Sequence, residues 1–226
     1  NVVLGAQRAV FFDLDGTLLN TLDDLAASMN EVLDGWGCQT HTAQDYRHFI
    51  GDGVHMLAMR ALPPALRTEK LVQDAVQAFR HVYSRRWKEK TRPYPGIKDM
   101  LKTLAEQEIL MGVVSNKPHE PTLICVHTFF HQISFAVVQG HVHDFPPKPD
   151  PSGLLSALQA CGAHPGYSLY LGDSGVDMKA ARGAGMLAVG VAWGFRSREE
   201  LMEHGAEYVL QDPRELMPLM GRLFSS

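Results

Sequence analysis

Two short stretches of the sequence place pairs of carboxylates directly after or among apolar residues. FFDLDGTL carries Asp13 and Asp15, and GDSGVD carries Asp173 and Asp177. Burying a carboxylate is unfavourable unless a partner compensates its charge. Two unit charges about 4 Å apart repel by about 4 kcal/mol at an effective dielectric constant of about 20. If the two stretches meet in the fold, their carboxylates therefore require a bound cation.

Two other stretches supply donors for an anion. ILMGVVSN ends in Ser115 and Asn116 and is followed by Lys117, and the loop FPPKPDP carries Lys148 between prolines. Ser and Asn are also common turn formers, and most lysines are solvated. Beside the carboxylates, however, a hydroxyl, an amide and an ammonium group favour phosphate binding. We predict that Ser115, Asn116 and Lys148 contact a phosphorylated substrate.

The predicted cation is Mg²⁺. Carboxylate ligands without a cysteine or histidine pattern select a hard ion, and Mg²⁺ is the usual one where a phosphate shares the site. A carboxylate that attacks a phosphate ester needs its repulsion cancelled, which a metal ion and a lysine provide. On this interpretation Asp13 attacks phosphorus and forms an aspartyl phosphate. Asp15 protonates the leaving oxygen and later activates water.

The elements that must position these residues alternate between apolar runs and amphipathic segments. ILMGVVSN, FAVVQG, YSLYLGDS and LAVGVAWG are predicted as strands with helices between them, and the earlier run RAVFFDLD belongs to the same sheet. Near-continuous apolar strands separated by helices predict a parallel sheet covered on both faces. Because ligands bind at the carboxyl ends of such strands, this α/β fold brings the polar residues to one edge. Asp150, which precedes Pro151, is interpreted as a helix cap rather than as part of the site.

The region between the first strand and the rest of the sheet is helical. LDDLAASMNEVL and LVQDAVQAFRHVYSRRW carry apolar residues at helical spacing, and no strand is obvious there. We therefore predict a doubly wound, Rossmann-like parallel sheet core formed by residues 1–18 and 92–226. Residues 19–91 are predicted to form an inserted helical cap domain.

The composition excludes several classes of function. The 226 residues are 45% hydrophobic and 20% charged, which is typical of a folded globular protein. A formal net charge of −4 provides no broad basic surface for nucleic acid. No apolar run approaches the length of a membrane span. The expected partner is a small phosphorylated metabolite, with no nucleic acid or membrane partner. The oligomeric state, monomer or dimer, stays open.

The cysteines and the N-terminus indicate the compartment. Cys38, Cys125 and Cys161 are odd in number and far apart, which favours free thiols in the core over disulfides or a zinc site. The first residues, NVVLGAQ, lack the charged start and the long apolar centre of a secretory signal. We therefore expect a cytoplasmic protein.

Four motifs resemble those of the haloacid dehalogenase superfamily, specifically its phosphatases. They are DLDGT from Asp13, SN from Ser115, KPDP from Lys148 and GDSGVD from Gly172, in the order found in that family. Each motif alone is weakly specific, whereas four in order along the chain are strongly specific. The resemblance implies Mg²⁺-dependent hydrolysis of a phosphomonoester by an α/β core that carries a cap domain.

The resemblance also implies roles for the acidic residues. Asp13 is implied as nucleophile and metal ligand, and Asp15 as acid and base with its backbone carbonyl on Mg²⁺. Asp173 is implied as a metal ligand. Asp177 is implied either as a further ligand or as a support for the others.

The phosphate contacts and the substrate also follow from the resemblance. It implies Ser115 and Lys148 as phosphate ligands, with Ser115 replacing the threonine that many relatives carry. The cap stretch IGDGVHMLAMRAL, together with DFPPKPDP and WGF, is similar to the phosphoglycolate phosphatase group. Asn20 stands where relatives often carry Asp, which we expect to change local capping rather than chemistry.

Other activities stay open. Sugar phosphates, nucleotides and pyrophosphate are alternative substrates. A phosphomutase similar to beta-phosphoglucomutase needs basic cap residues, and residues 48–59 contain no Lys or Arg. Carbon–halogen hydrolysis does not need Asp15, and phosphonate hydrolysis needs a cap lysine that forms a Schiff base, a role that the residues around Lys70 do not favour. A non-catalytic binding protein of the same fold is disfavoured by the intact carboxylates.

Overall fold

The computed structural model of the protein describes residues 7–142 and 144–224. The chain divides into two compact units, of which one joins the residues up to Leu18 with those from Pro93 onward and the other comprises Leu19–Arg92. The predicted absence of a secretory signal concerns residues 1–7, which lie outside the described part except for Gln7. No described helix combines the length and the hydrophobicity that a bilayer-spanning segment needs.

The first unit is built on a six-stranded sheet in which each pair of neighbouring strands is parallel, as predicted. The spatial order is β5-β4-β1-β6-β7-β8, and two further short strands, β2 and β3, pair with each other where the chain passes between the units. The strands are β1 (Ala9–Phe12), β2 (Leu19–Asn20), β3 (Arg92–Pro93), β4 (Leu110–Pro118), β5 (Val137–His141), β6 (Ser168–Gly172), β7 (Leu187–Val191) and β8 (Tyr208–Leu210).

Helices separate the strands of the sheet and form most of the second unit. The α-helices of the chain are α1 (Leu22–Gly35), α2 (Ala43–Phe49), α3 (Val54–Ala61), α4 (Glu69–Arg86), α5 (Ile97–Glu106), α6 (His119–Phe130), α7 (Ser152–Cys161), α8 (Gly175–Gly183), α9 (Arg198–Glu203) and α10 (Leu216–Phe224). The predicted α/β architecture with an inserted helical segment is therefore confirmed.

The central strand β1 is apolar because both faces of the sheet are covered. Ala9 and Phe11 belong to an apolar cluster that includes residues of α7 and α8. Val10 and Phe12 point to the opposite face, since successive strand residues alternate, and they are fully buried as well. A parallel sheet buried on both faces requires this continuous apolar run.

The strand order places the ends of three strands side by side. From β1 in the middle of the sheet the chain adds β4 and β5 on one side and then returns to add β6, β7 and β8 on the other. This reversal of direction occurs at β1, and ligands of open α/β sheets bind at such a point outside the carboxyl ends of the strands. The polar residues after β1 and β6 and those at the end of β4 therefore share one edge.

The helical unit, Leu19–Arg92, has its own caps and its own buried polar contacts. Thr42 and Asp45 form a capping box at the beginning of α2, and the Thr68 hydroxyl accepts a hydrogen bond from Leu71 N at the beginning of α4. Asp24 of α1 is only 2% exposed. It accepts hydrogen bonds from both backbone N–H groups and the hydroxyl of the Lys90–Thr91 segment, at 2.8–3.0 Å.

Several local features differ from the sequence-based expectations. Strand β4 continues beyond Asn116 to Pro118, with an irregular register against β5 after Val114. The short ribbon of β2 and β3 was not anticipated, because two-residue strands leave no periodic pattern. Cys125 is buried, and the partly exposed Cys161 packs against the apolar core cluster, whereas the core interpretation is wrong for the partly exposed Cys38.

Candidate active site

Each residue predicted for the site lies in the first unit, at the carboxyl edge of the sheet or in a loop next to it. Asp13 and Asp15 follow β1, Ser115 and Asn116 lie in the last part of β4, Lys148 lies in the loop before α7, Asp173 follows β6, and Asp177 lies in the first turn of α8. In addition, Asp150 accepts a hydrogen bond from Ser152 N at the beginning of α7, but the N-cap residue is Pro151, so Asp150 lies one residue before the cap.

Three of the predicted carboxylates form a compact buried cluster. One carboxylate oxygen from each of Asp13, Asp173 and Asp177 lies within 4.8 Å of the others. The three residues are 6%, 2% and 0% exposed, respectively, so water screens their mutual repulsion poorly. Such a cluster persists only if cations compensate it.

Glycines make room for the carboxylate of Asp173. Gly16 has a φ of +82°, and a Cβ added there would lie 2.2 Å from Asp173 Oδ2. A Cβ added at Gly194 would lie 2.3 Å from Asp173 Cβ. The backbone of both neighbouring segments therefore approaches this side chain more closely than any other residue type allows. The glycine of the DLDGT motif thus has a packing role at the site.

The WGF segment after β7 also contacts this group of residues. Phe195 N donates a hydrogen bond of 2.7 Å to Asp173 Oδ2, and Trp193 Nε1 donates one of 2.9 Å to the carbonyl oxygen of Thr17. The segment therefore orients Asp173 and holds the end of the DLDGT turn. In the sequence, WGF was informative only through its similarity to relatives, because the residue type does not indicate which backbone N–H groups donate hydrogen bonds.

The electrostatics of the cluster disfavour negative charge. Burial raises the pKa of Asp13 to about 6, although Lys148 opposes this shift, and nearby Asp177 and Asp15 add to it. Burial, followed by the charges of Asp177 and Asp13, raises the pKa of Asp173 well above its usual range. Both shifts show that burial and neighbouring negative charge outweigh the positive charge that the protein places beside these two carboxyl groups.

Lys148 is the cation that the protein places in the cluster. Its side chain is 4% exposed, and its Nζ lies 2.6 Å from Asp177 Oδ1 and 3.1 Å from Asp13 Oδ1. The same Nζ donates a hydrogen bond of 2.7 Å to the hydroxyl oxygen of Tyr170. Burial opposes the charge of Lys148, but Asp13 and Asp177 together raise its pKa. Lys148 is therefore charged and points at the Asp13 carboxylate.

Asn116 and Tyr170 hold Lys148 in this position. Asn116 Oδ1 accepts a hydrogen bond of 2.8 Å from Lys148 N, and Asn116 Nδ2 donates one of 3.1 Å to the Lys148 carbonyl oxygen. Tyr170 is fully buried in β6 and donates a hydrogen bond of 2.6 Å to Val114 O. Tyr170 was not anticipated from the sequence, since a tyrosine in an apolar strand is most simply a core residue. The predicted contact of Asn116 with substrate stays a prediction.

The two aspartates of the α8 motif have different partners. Asp177 Oδ2 accepts hydrogen bonds from Ser174 N at 3.0 Å and Ser174 Oγ at 2.6 Å, which form a capping box, and Asp177 Oδ1 pairs with Lys148. Both oxygens of Asp177 are therefore engaged by protein groups. This arrangement favours a supporting role for Asp177 over direct metal binding.

Ser115 lies beside the predicted nucleophile, and Asp15 beside a lysine. The Ser115 hydroxyl is close enough to Asp13 to favour the charged form of that carboxyl, an effect that burial outweighs. Lys117 Nζ lies 3.1 Å from Asp15 Oδ2. The sequence placed Lys117 at a strand end but assigned it no role. A signal was present, because a lysine directly after Ser115 and Asn116 had to lie near the same edge.

The donor set fits Mg²⁺. Asp13 Oδ1 is buried and, apart from its ion pair with Lys148 Nζ at 3.1 Å, makes no hydrogen bond with the described residues, so a lone pair is available for a ligand. The cluster offers carboxylate oxygens without cysteine or histidine, and such hard donors suit Mg²⁺ better than zinc or copper. A hard divalent cation would also favour the ionised forms of these two carboxyl groups, whose pKa values are raised first by burial and then by neighbouring negative charge.

Comparison with a family model identifies the class of protein. Residues 10–191 match the model of haloacid dehalogenase-like hydrolases, a span that includes every predicted site residue. The chain therefore belongs to the haloacid dehalogenase-like hydrolase family. The predicted resemblance is confirmed.

Individual relatives agree with this assignment. The chain is 34% identical over 222 residues to phosphoglycolate phosphatase of Pseudomonas putida, covering 93% of this chain and 79% of that protein. It is 31% identical over 215 residues to phosphoglycolate phosphatase of Pseudomonas fluorescens, with the same coverage of 93% and 79%. Identities near 30% establish the family and leave the substrate of this chain undetermined.

Solved structures have the same fold. A crystal structure of a predicted phosphoglycolate phosphatase from Haemophilus somnus superposes with a TM-score of 0.86 at 27% identity, covering 96% of this chain and 99% of that one. A crystal structure of a protein from Lactobacillus delbrueckii, which is provisionally named a phosphoglycolate phosphatase, superposes with a TM-score of 0.88 at 28% identity. It covers 98% of this chain and 100% of that one.

Proposed function

We propose that this hydrolase is a Mg²⁺-dependent phosphatase of a small phosphomonoester, with 2-phosphoglycolate as the first candidate substrate. The observation that carries the proposal is the buried cluster in which Asp13, Asp173 and Lys148 meet at the sheet edge. A carboxylate nucleophile, a second carboxylate for a cation and a charged ammonium group are the components that phosphoryl transfer to a side chain requires.

The metal ion would be held by three groups. The side chains of Asp13 and Asp173 and the backbone carbonyl of Asp15 are the proposed ligands, and Asp177 supports them through Lys148 and the α8 cap. When bound, Mg²⁺ supplies positive charge that offsets the repulsion between the nucleophile and the phosphate and stabilises the charge on the transferring oxygens.

The protein residues carry out the two displacement steps. In the first, a carboxylate oxygen of Asp13 bonds to phosphorus, the ester P–O bond breaks, and Asp15 gives its proton to the leaving oxygen. In the second, Asp15 takes a proton from water, the water oxygen bonds to phosphorus, and the bond between Asp13 and phosphorus breaks. Inorganic phosphate leaves, and both aspartates return to their starting state.

The remaining groups orient the phosphate. Lys148 Nζ, which lies 3.1 Å from Asp13 Oδ1, is positioned to neutralise phosphate oxygens beside the nucleophile. Ser115 supplies a hydroxyl donor from the end of β4. Asn116 contributes by fixing the backbone of Lys148, in addition to its predicted contact with substrate. Preorganised donors of this kind stabilise developing charge without a cost of reorganisation during the reaction.

The choice of 2-phosphoglycolate rests on the names of the Pseudomonas relatives and on the similarity of the cap stretch. Residues 19–91 are proposed as the cap domain that selects the leaving group, and the sheet unit as the catalytic core. Sugar phosphates, nucleotides and pyrophosphate are the alternative substrates.

A substrate panel tests the proposal. Purified protein is assayed for phosphate release from 2-phosphoglycolate, sugar phosphates, nucleoside monophosphates, pyrophosphate and p-nitrophenyl phosphate, with Mg²⁺ and with EDTA. We expect Mg²⁺-dependent release and the highest kcat/KM for 2-phosphoglycolate. A higher kcat/KM for another ester would overturn the proposed substrate but not the proposed reaction. Absence of Mg²⁺-dependent release from every compound would overturn the reaction.

A further inference from the structure

Lys117 is a buried lysine at the sheet edge that the proposed reaction does not use. Its side chain is 4% exposed, and its Nζ lies 3.1 Å from Asp15 Oδ2 and 3.3 Å from Asp15 Oδ1. Removing an ammonium group from water is unfavourable without an anionic partner. While Asp15 is ionised it provides that partner, and contact with both of its oxygens also fixes the plane of the carboxyl group.

The backbone of Lys117 is held firmly. Lys117 N donates a hydrogen bond of 3.3 Å to Ser115 Oγ, and the hydroxyl of the fully buried Thr122, which donates to Pro118 O at 2.9 Å, also lies 3.3 Å from the Lys117 carbonyl oxygen. On the side of β5, a Cβ added at Gly140 would lie 2.6 Å from that carbonyl oxygen. A lysine on so constrained a backbone presents its ammonium group at a defined place.

The two buried lysines contact different carboxylates. Lys148 lies against Asp13 and Asp177, whereas Lys117 lies against Asp15. The Asp15 side chain is 16% exposed, compared with 9% for Asp13. Asp15 is therefore the less enclosed of the two, and a contact that holds both of its oxygens restricts its rotation more than packing alone would.

We propose that Lys117 is a positioning residue for the acid–base step, holding the Asp15 carboxyl group where it meets the leaving oxygen. The inference rests on the proposed phosphatase function. When the ester P–O bond breaks, its electron pair passes to the leaving oxygen, and the proton of Asp15 joins that oxygen. Without Lys117 the carboxyl group is free to rotate away from this oxygen, so proton transfer becomes slower while attack by Asp13 is unaffected.

Two kinds of ester separate this role from a structural one. An alkyl phosphate such as 2-phosphoglycolate or glycerol 3-phosphate leaves as an alkoxide that needs a proton. p-Nitrophenyl phosphate leaves as a stable phenolate that does not. The ratio kcat/KM covers the steps up to departure of the leaving group. Loss of Lys117 should therefore lower this ratio for alkyl esters far more than for the aryl ester.

The experiment compares Lys117→Met with the wild type and with Lys179→Met, a control at an exposed lysine of α8. We expect Lys117→Met to lower kcat/KM about 10²-fold for the alkyl esters and about fivefold or less for p-nitrophenyl phosphate, with the control unchanged. Circular dichroism and thermal melting establish that each variant folds. Lys117→Gln serves as a second variant if the methionine variant does not fold.

A double-mutant cycle tests whether Lys117 acts through Asp15. In an Asp15→Asn background, Lys117→Met should change the rate on alkyl esters by about twofold or less. The inference would be overturned if kcat/KM fell equally for alkyl and aryl esters, or if Lys117→Met caused its full loss of rate in the Asp15→Asn background as well. Either result would show that Lys117 contacts the phosphate or only maintains the fold. If the wild type releases no phosphate from any of these esters, the proposed function fails and the inference fails with it.

Discussion

The protein buries carboxylates in two places, and the two places differ in the hydrogen-bond donors that they offer to the carboxylate oxygens. In the helical unit, Asp24 is 2% exposed and accepts hydrogen bonds at 2.8–3.0 Å from three donors of the Lys90–Thr91 segment. At the sheet edge, Asp13 Oδ1 is buried and lies 3.1 Å from Lys148 Nζ but makes no other hydrogen bond with the described residues, and burial raises the pKa of Asp13 to about 6.

The difference distinguishes a structural carboxylate from one available for chemistry. Asp24 exchanges its water contacts for backbone donors, so its negative charge ties α1 to the segment that follows α4. The sheet-edge carboxylates instead face one another within 4.8 Å. Asp177 is engaged by Ser174 and Lys148, but Asp13 Oδ1 makes no hydrogen bond with the described residues beyond its ion pair with Lys148, so Asp13 remains available for a cation and a phosphoryl group. Burial alone therefore does not identify a functional carboxylate, whereas a buried carboxylate oxygen that accepts no hydrogen bond within the described part of the chain, such as Asp13 Oδ1, points to one.

The largest expected effect comes from Asp13→Asn at the sheet edge. Loss of the nucleophilic oxygen should lower kcat about 10⁴-fold or more. The free energy of unfolding of the metal-free protein should stay equal or rise, because a poorly compensated charge is removed. Phosphate-release rates and thermal melting measure the two quantities, with Asp99→Asn, an exposed aspartate of α5, as the control. Unchanged rates would remove Asp13 from the mechanism.

Asp24→Asn should show the reverse pattern. An amide cannot accept from all the donors that face Asp24, so the free energy of unfolding should fall by about 3 kcal/mol. The rate per folded molecule should stay near that of the wild type. Urea denaturation measures the first quantity and steady-state kinetics the second. Asp23→Asn, at the exposed neighbour in α1, should change neither. A wild-type free energy of unfolding in Asp24→Asn would contradict the structural role.

Mg²⁺ should stabilise the protein through the sheet-edge cluster. At a concentration 100 times its dissociation constant, the ion should add about 2.7 kcal/mol to the free energy of unfolding. The gain should persist in Asp24→Asn and disappear in Asp173→Asn, as measured by thermal melting over a Mg²⁺ titration. Equal gains in both variants would place the ion elsewhere.

The smallest expected effect is a dependence of stability on pH in the metal-free protein. The pKa of Asp13 is raised to about 6 in the folded state, above its ordinary value of 3.8, so the folded protein binds more protons between these values. The stability gained from this group is present below about pH 4 and is lost as the pH rises through about 6. We expect about 1 kcal/mol more stability at pH 5 than at pH 7.

The control for the pH prediction is Asp13→Asn, which lacks the titrating group. The raised pKa of Asp173 acts in the same direction, so the variant should retain a weaker dependence than the wild type. Saturating Mg²⁺ should reduce the dependence further, because the ion favours the charged carboxylates. Urea denaturation at the two pH values provides the comparison. A steeper dependence in Asp13→Asn would contradict the assignment.

Much of the site followed from residue type and strand position. Asp13, Ser115 and Asp173 come at or after the ends of apolar runs, and parallel strands bring such ends to one edge. The roles of Lys117 and Tyr170 did not follow, because a lysine in a polar stretch and a tyrosine in an apolar strand have commoner structural explanations. Only the placement of Asp15 beside Lys117 and of Lys148 beside Tyr170 shows what these side chains contact.

The sequence by itself determined the parallel α/β sheet, the helical insertion and the acidic edge, because strand periodicity and the sign of charge are local properties of a chain. The tertiary structure decided which buried carboxylates are satisfied. Asp24 and Asp13 both follow apolar residues by one to several positions, yet their partners lie about 70 to 160 residues away along the chain. Hydrogen bonding between such distant residues depends on how the elements pack. Packing therefore determines whether a buried carboxylate is bound by protein donors and stabilises the fold, or remains available for a ligand.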